Sequence, residues 1–228
     1  MTGPAGPERM VHGYTHRTTR NGSVITKAYR GPDAAARCAA ETTMLRSLAG
    51  LLPVAPVVAT GPAVLQTGLM PGIHGQDLIA AGLAGPVLAA CGRMLRRIHR
   101  TPVPAPIARR AARGGVLVHG DYGPNNVLLD ADASDVTAVL DWEWAHAGQP
   151  LEDLAWCEFI VRLHHPAEVA ALDAFYAAYG SRPPWPEVHA VMVARCQWML
   201  ELCERWEPGG HRPAAWTERL ATVRSWVS

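Results

Sequence analysis

The sequence predicts an α+β fold of two unequal lobes, a short N-terminal lobe of β-strands followed by a mainly helical C-terminal lobe. Three observations carry that expectation. Strand-like alternation with turn signals is concentrated in the first part of the chain, long stretches with apolar residues at helical spacing fill most of the rest, and strand-like runs return only around residues 115–140. At 228 residues and 49% hydrophobic composition, the chain is long enough to bury a substantial core. The division is expected between 1–70 and 71–228, with the connection at about 66–72.

Taken in order, Val24-Ile25-Thr26-Lys27-Ala28-Tyr29 alternates as a half-buried strand does, and Asn21-Gly22 between Thr18-Thr19 and Val24-Ile25 marks a hairpin turn. Asp33 to Leu48 reads as a helix with Ala36, Ala40, Met44, Leu45 and Leu48 on its apolar side. Ala63-Val64-Leu65-Gln66 is a further strand, leading into Thr67-Gly68-Leu69-Met70-Pro71-Gly72. Pro86 to His99 carries Val87, Leu88, Cys91, Met94, Leu95 and Ile98 at helical spacing, with Pro86 in its first turn. Gly115 to Val118, Val127 to Leu129 and Val136 to Leu140 are short apolar runs, the last two separated by the turn Ala131-Asp132-Ala133-Ser134-Asp135. Helices are then expected over Leu151 to Leu163, Pro166 to Tyr179 (closed by Gly180), Pro186 to Trp206 (closed by Pro208-Gly209) and Ala214 to Val227. Met1 to Pro7, Thr101 to Pro106 and Ser181 to Pro186 read as linkers, and no internal repeat appears.

Composition narrows the function classes. Twenty-one basic against 20 acidic residues leave a net charge of +1, which argues against a dedicated nucleic-acid surface. The clusters Arg96-Arg97 with His99-Arg100, and Arg109-Arg110 with Arg113, are expected to be solvated charge at a helix end and on a loop. No charged n-region with an apolar h-region opens the chain, and the longest apolar tract, Leu51 to Leu65, is broken by prolines and a glycine, so a cytoplasmic protein without a membrane partner is expected. The five cysteines, Cys38, Cys91, Cys157, Cys196 and Cys203, lack Cys-x-x-Cys spacing and are expected to be small buried apolar residues. His164-His165 are adjacent and diverge on a helix, so they are expected at a helix end before Pro166 rather than as a metal pair. Nothing in the pattern selects an oligomeric state.

The chemistry is concentrated in His119-Gly120-Asp121-Tyr122-Gly123-Pro124-Asn125-Asn126 and in Asp141-Trp142-Glu143. Phosphoryl transfer needs little covalent help, so a protein that performs it must position an acceptor hydroxyl and hold Mg²⁺ against nucleotide phosphates. One free carboxylate and two hard oxygen ligands suit those tasks. His-x-Asp with Asn five residues later, followed by an Asp at a strand end, matches the kinase catalytic-loop pattern: Asp121 is the expected base, Asn126 and Asp141 the expected metal ligands. Asp and Asn are also common turn formers at hairpins, an alternative that accounts for either residue alone but not for the whole constellation.

His119-Gly120-Asp121-x4-Asn126, then Asp141-Trp142-Glu143-x4-Gly148-x-Pro150-x2-Asp153-Leu154-Ala155, resembles the aminoglycoside phosphotransferase and choline kinase-like superfamily of small-molecule kinases. That resemblance implies a protein-kinase-like two-lobed fold, here with a reduced N-terminal β-lobe, and a Mg-ATP-dependent transfer of phosphate to a hydroxyl of a small molecule. It also implies that Lys27 steadies the nucleotide phosphates, that Glu41 pairs with Lys27, and that Gly68 and Met70 lie in the hinge that reads adenine. Gly120 stands where protein kinases usually carry Arg, and neither an activation loop nor an Ala-Pro-Glu segment follows Asp141, so control by loop phosphorylation is not expected. Gly123 stands where many protein kinases place a phosphate-contacting Lys.

Gly13-Tyr14-Thr15-His16 is the candidate phosphate loop, without a Gly-x-Gly-x-x-Gly pattern, which predicts sparse cover over the nucleotide. The family's acceptors include antibiotics and choline-like, homoserine-like and sugar-amine molecules, so resemblance leaves the acceptor open, as it leaves ATP against GTP. A polycationic acceptor would need acidic residues, for which Glu158, Glu201 and Glu204 are the candidates; the last two are three apart on a predicted helix and share a side with Gln197. Two other readings stand beside the kinase. A catalytically silent nucleotide binder accommodates the short phosphate loop but not the intact Asp121. A metal-dependent phosphohydrolase accommodates the Asp/Asn cluster but gives Lys27 and Glu41 no task.

Overall fold

A computed structural model describes residues 8–9, 17–108 and 115–227, and these form an α+β fold of two lobes. The N-terminal lobe is a five-stranded antiparallel sheet in the order β1-β2-β3-β5-β4, with β1 Glu8–Arg9, β2 Arg17–Asn21, β3 Val24–Ala28, β4 Val57–Thr60 and β5 Val64–Gly68. It is fuller than expected, because β1 and β4 are too short for alternation to reveal them. The β2–β3 hairpin pairs Asn21 with Val24, so the turn is Gly22-Ser23, and Gly22 supplies the positive φ of 59° that such a turn requires. Gly13 to His16 lies outside the described residues, as do Arg109, Arg110 and Arg113.

Helix α1, Ala34–Leu48, covers this sheet with a face the apolar spacing did not predict. Ala36 and Ala40 are exposed, whereas Arg37, Cys38, Glu41, Thr42, Met44, Leu45 and Leu48 are buried. The periodicity misled because the helix turns two charged residues inward, where partners from other elements neutralise them.

The chain leaves the five-stranded sheet at Gly68 and reaches β6, Ile73–His74, after four residues. β6 joins β8, Val127–Leu129, and β9, Val136–Val139, in a small antiparallel sheet ordered β6-β8-β9. The preceding run, β7 at Val116–Val118, pairs instead with β10, His146–Gly148. The loop carrying His119 to Asn126 therefore runs from one small sheet to the other.

Around them lie α2 (Gly75–Ala80), α3 (Ala84–Arg100), α4 (Ala105–Ala108), α5 (Pro150–His164), α6 (Leu172–Tyr179), α7 (Trp185–Trp206) and α8 (His211–Ser225). The expected helix from Pro166 to Tyr179 divides into a 3-10 segment, Pro166–Ala171, and α6, which Gly180 closes at a φ of 103°. Pro86 lies in the first turn of α3, and Pro186 inside α7 rather than in a linker. One apolar core joins α1 and the sheet to α3, β7, α5 and α6; a second, between α5, α7 and α8, is aromatic. In it Trp156 stacks on Phe159 at 4.4 Å, with Trp216 beyond. The five cysteines are free and buried. Among the described residues no helix is long and apolar enough to cross a membrane.

Candidate active site

Lys27 is the buried residue of β3, and burial of a lone ammonium would be costly. It is paired twice. Its Nζ lies 2.7 Å from Oε2 of Glu41 on α1 and 2.8 Å from Oδ1 of Asp141 at the end of β9. Burial alone would lower the Lys27 pKa, but the charges of Asp141, Glu41 and Glu143 outweigh it and hold the group well above its ordinary value. Burial raises the Glu41 carboxyl against the opposing pull of Lys27, and the Tyr29 hydroxyl also donates to it. The Lys27–Glu41 pair expected from the motif is present, and Asp141 extends it into a triad that ties the two lobes together.

Asp141 takes a left-handed backbone, φ 59° and ψ 57°, as the chain turns from β9 into the 3-10 turn Trp142–Trp144. Asp tolerates this conformation better than most residues, and strained backbone of this kind concentrates at functional sites. The turn is fastened by Glu143, which accepts from Nη1 of Arg37 at 3.1 Å, while the Arg37 guanidinium stacks 4.6 Å from the ring of Trp206.

The backbone of the loop that carries Asp121 hangs on Asp153 of α5. Its Oδ2 accepts from His119 N–H at 2.8 Å, its Oδ1 from Gly120 N–H at 2.9 Å, and Nε2 of His99 lies 3.0 Å from Oδ2. Burial would raise the Asp153 carboxyl, yet the His99 bond, the charges of His99 and His119 and the backbone donor bring it below its ordinary value. His119 is sealed, and Nδ1 accepts from Asp121 N–H at 3.2 Å. Nε2 therefore carries the ring proton and donates to Leu140 O at 2.8 Å, in keeping with a pKa that burial lowers. Gly120 has a φ of 82°, and a Cβ there would meet Trp144 O at 2.6 Å. This is the physical reason for glycine where protein kinases carry Arg.

Asp121 is held at both oxygens. Asn126 Nδ2 donates to Oδ2 at 2.8 Å and to the Asp121 carbonyl at 2.7 Å, and the indole N–H of Trp156 donates to Oδ1 at 2.7 Å. Burial pushes the carboxyl up to about 6; the Asp141 charge adds to the rise, and the Trp156 and Asn126 bonds with the Arg195 charge oppose it.

Two cavities are lined by the partners of this carboxylate, one by Asn126 and the other by Trp156. The larger, about 600 Å³, is lined by residues of both lobes, among them Lys27, Asn126 and Asp141 and the apolar Leu45, Leu65 and Leu128. Gly68 and Met70 line it, but the Gly68 N–H is already bonded to Pro56 O at 2.9 Å and the Leu69 N–H to Ser23 O at 2.8 Å. Of these hinge groups, the Met70 N–H is the one without a protein partner among the described residues. The smaller cavity, about 270 Å³, is lined by Gly120, Trp156 and the α7 residues Val191, Arg195 and Trp198.

The three acidic acceptor-site candidates are not brought together. Glu158 is sealed in α5, where Arg162 Nε donates to it at 2.7 Å and Tyr176 Oη donates to its other oxygen at 2.5 Å. It is a structural ion pair because its helix face points into the core toward α6. Glu201 and Glu204 are exposed on α7, and Glu201 accepts from Gln197 at 3.2 Å.

Sequence reasoning missed Trp156, Arg195, His99 and Arg37. Trp156 sits three residues after Asp153, one turn along the same helix, and Arg195 interrupts the apolar run of α7; both were visible signals. His99 stands in a basic cluster whose pattern predicts solvated charge, yet its side chain is 5% exposed.

A family model described as "Phosphotransferase enzyme family" matches residues 13–115 and 107–191. A human protein named acyl-CoA dehydrogenase family member 11 is 30% identical over 90 residues, covering 40% of this chain and 11% of that protein; its chicken counterpart is 45% identical over 40 residues, 18% of this chain and 5% of that protein. The chain thus spans a small part of the curated relatives it matches. Among solved structures, the gentamicin complex of APH(2")-IIa superposes with a TM-score of 0.72 at 11% identity, covering 94% of this chain and 90% of that one. Macrolide 2'-phosphotransferase MphH from Brachybacterium faecium gives 0.62 at 20% identity, with 97% and 92% covered. The ADP and streptomycin complex of APH(3'')-Id from Streptomyces rimosus gives 0.63 at 20% identity, with 83% and 91% covered.

Proposed function

The chain belongs to the phosphotransferase enzyme family, and from that premise we propose that it transfers a phosphoryl group from Mg-ATP to a hydroxyl of a small molecule. One observation carries the reading: one oxygen of Asp121 is bonded to Asn126, which lines the larger cavity, and the other to Trp156, which lines the smaller. A base so placed is linked through one hydrogen bond to each of the proposed donor and acceptor compartments.

In this reading the larger cavity takes the nucleotide. The base lies against Leu45, Leu65 and Leu128, and the Met70 N–H reads its edge. Lys27 has three N–H donors, two of them directed at Glu41 and Asp141, and the third is left for a phosphate oxygen. The residues present also fit magnesium: Asn126 directs its amide N–H groups at Asp121, leaving Oδ1 for a hard cation beside the Asp141 carboxylate. When bound with the nucleotide, the metal neutralises charge on the phosphates. Asp121 accepts the acceptor's proton, and a carboxyl pushed up to about 6 is a stronger base than an ordinary one while still ionised at neutral pH. The smaller cavity admits the acceptor.

The test is incubation with Mg-ATP and a library of hydroxylated metabolites, with mass detection of phosphate adducts. Adducts formed by the wild type and lost in Asp121→Asn support the reading. Adducts formed equally by Asp121→Asn overturn it.

A further inference from the structure

The smaller cavity is lined by one arginine, one histidine and one acidic residue. Its one acidic lining residue, Glu152, has both oxygens committed: Oε1 accepts from Gln149 N–H at 2.7 Å, and Oε2 lies 2.8 Å from Nε2 of His146. Both ring nitrogens of His146 face acceptors, Nδ1 the Trp144 carbonyl at 2.9 Å and Nε2 the Glu152 carboxylate, and the bond to Glu152 raises the His146 pKa and lowers that of Glu152.

Arg195 is different. Its guanidinium carbon lies over the Trp198 ring at 4.2 Å and 5.6 Å from the Trp156 ring centroid, and its Nη2 donates to Gly120 O at 2.9 Å. No carboxylate lies within ion-pair distance of it among the described residues, and its remaining N–H groups have no protein partner there and are not sealed from solvent. The cavity thus presents a pre-stacked guanidinium with open donors, flanked by indole faces and Val191. A planar guanidinium fixed in this way matches a carboxylate with two parallel hydrogen bonds.

On the phosphotransfer reading above, we propose that the acceptor is a hydroxy acid with an apolar or aromatic body, its acidic group held by Arg195, its body against Trp198 and Val191, and its hydroxyl at Asp121. A polycation is disfavoured by the same charge. Glu158 is sealed and Glu201 lies exposed one turn beyond Trp198, and the carboxylates whose charges reach Arg195, those of Asp121, Asp153 and Glu152, are each already held by other donors.

The full chain is assayed with Mg-ATP and four acceptors: phenyllactate, phenyllactamide, the corresponding amino alcohol and kanamycin. The expected order of kcat/KM is acid over amide by about ten- to hundredfold, the value of a hydrogen-bonded charge pair, with the amine and kanamycin lowest. Arg195→Gln is expected to bring the acid-to-amide ratio close to one, and Arg195→Lys to restore part of it. A merely structural role for Arg195 would lower both substrates alike and leave the ratio standing, which overturns the proposal. So does equal use of acid and amide by the wild type, a preference for the amine or kanamycin, or turnover of none of the four by protein that binds ATP. Phosphorylation of kanamycin that Asp121→Asn abolishes would overturn the acceptor charge alone; phosphorylation that survives Asp121→Asn would overturn the phosphotransfer reading.

Discussion

The indole N–H of Trp156 donates a 2.7 Å hydrogen bond to Oδ1 of Asp121. Trp156 is itself immobilised by its stack on Phe159, so the bond fixes both the direction and the proton affinity of the carboxylate. Because the bond is to the ionised form, it opposes the rise that burial imposes.

Trp156→Phe keeps an aromatic ring in the stack and removes the donor. The base acts when deprotonated, so kcat/KM of the wild type is expected to fall as pH drops through about 6. Loss of the bond raises the carboxyl further, and the acidic limb should move to higher pH by about 1 unit. A pH profile of kcat/KM for both proteins measures it; coincident limbs would show that the indole N–H leaves the base untouched.

Asp141→Ala removes a proposed metal ligand and one of the two carboxylates on Lys27. Activity should be abolished and ATP binding should lose its dependence on magnesium, while Glu41 keeps Lys27 charged and in place. Calorimetric titration of ATP with and without magnesium distinguishes this from a general loss of fold, in which both titrations would fail.

Lys27→Ala leaves Glu41 and Asp141 facing each other without the charge between them. With no Gly-x-Gly-x-x-Gly segment, wild-type ATP affinity is expected at about 0.1–1 mM, where a single charge-assisted contact is a large share of the binding free energy. Saturation by ATP should disappear in Lys27→Ala. Lys27→Arg retains charge but misplaces it. Micromolar affinity unaffected by either change would reject this account of the phosphate contacts.

Asp153→Ala removes the acceptor for two backbone N–H groups and for His99, and should cost about 3–5 kcal/mol of stability. The Asp153 carboxyl lies below its ordinary value in the fold, so its contribution is present above the unfolded pKa of about 4 and is lost as pH falls below it. Denaturation midpoints should therefore differ most at neutral pH and converge on acidification. A constant difference across that range would assign the loss to packing alone.

The sequence by itself put the residues of the proposed machinery in order. Lys27, Glu41, Asp121, Asn126 and Asp141 could be named because phosphoryl transfer restricts residue type and the loop and strand impose short, local spacings. The long helices were legible for the same reason, since a period repeated over several turns is a strong signal. Two- and three-residue strands such as β1, β6 and β10 have no period to read, and their partners, Arg20, Leu128 and Val118, are distant in sequence. Tertiary structure alone decided which charges were turned inward. Arg37 and Glu41 made the polar side of α1 its buried side, His99 left a basic cluster to hold Asp153, and Glu158 was sealed by Arg162 and Tyr176. Arg195, 74 residues beyond Asp121, reached the catalytic loop through Gly120 O. Each of these outcomes depends on a counter-charge or acceptor supplied by another element. Pairwise electrostatics between such elements leaves no periodic trace along the chain, so only the folded arrangement could reveal it.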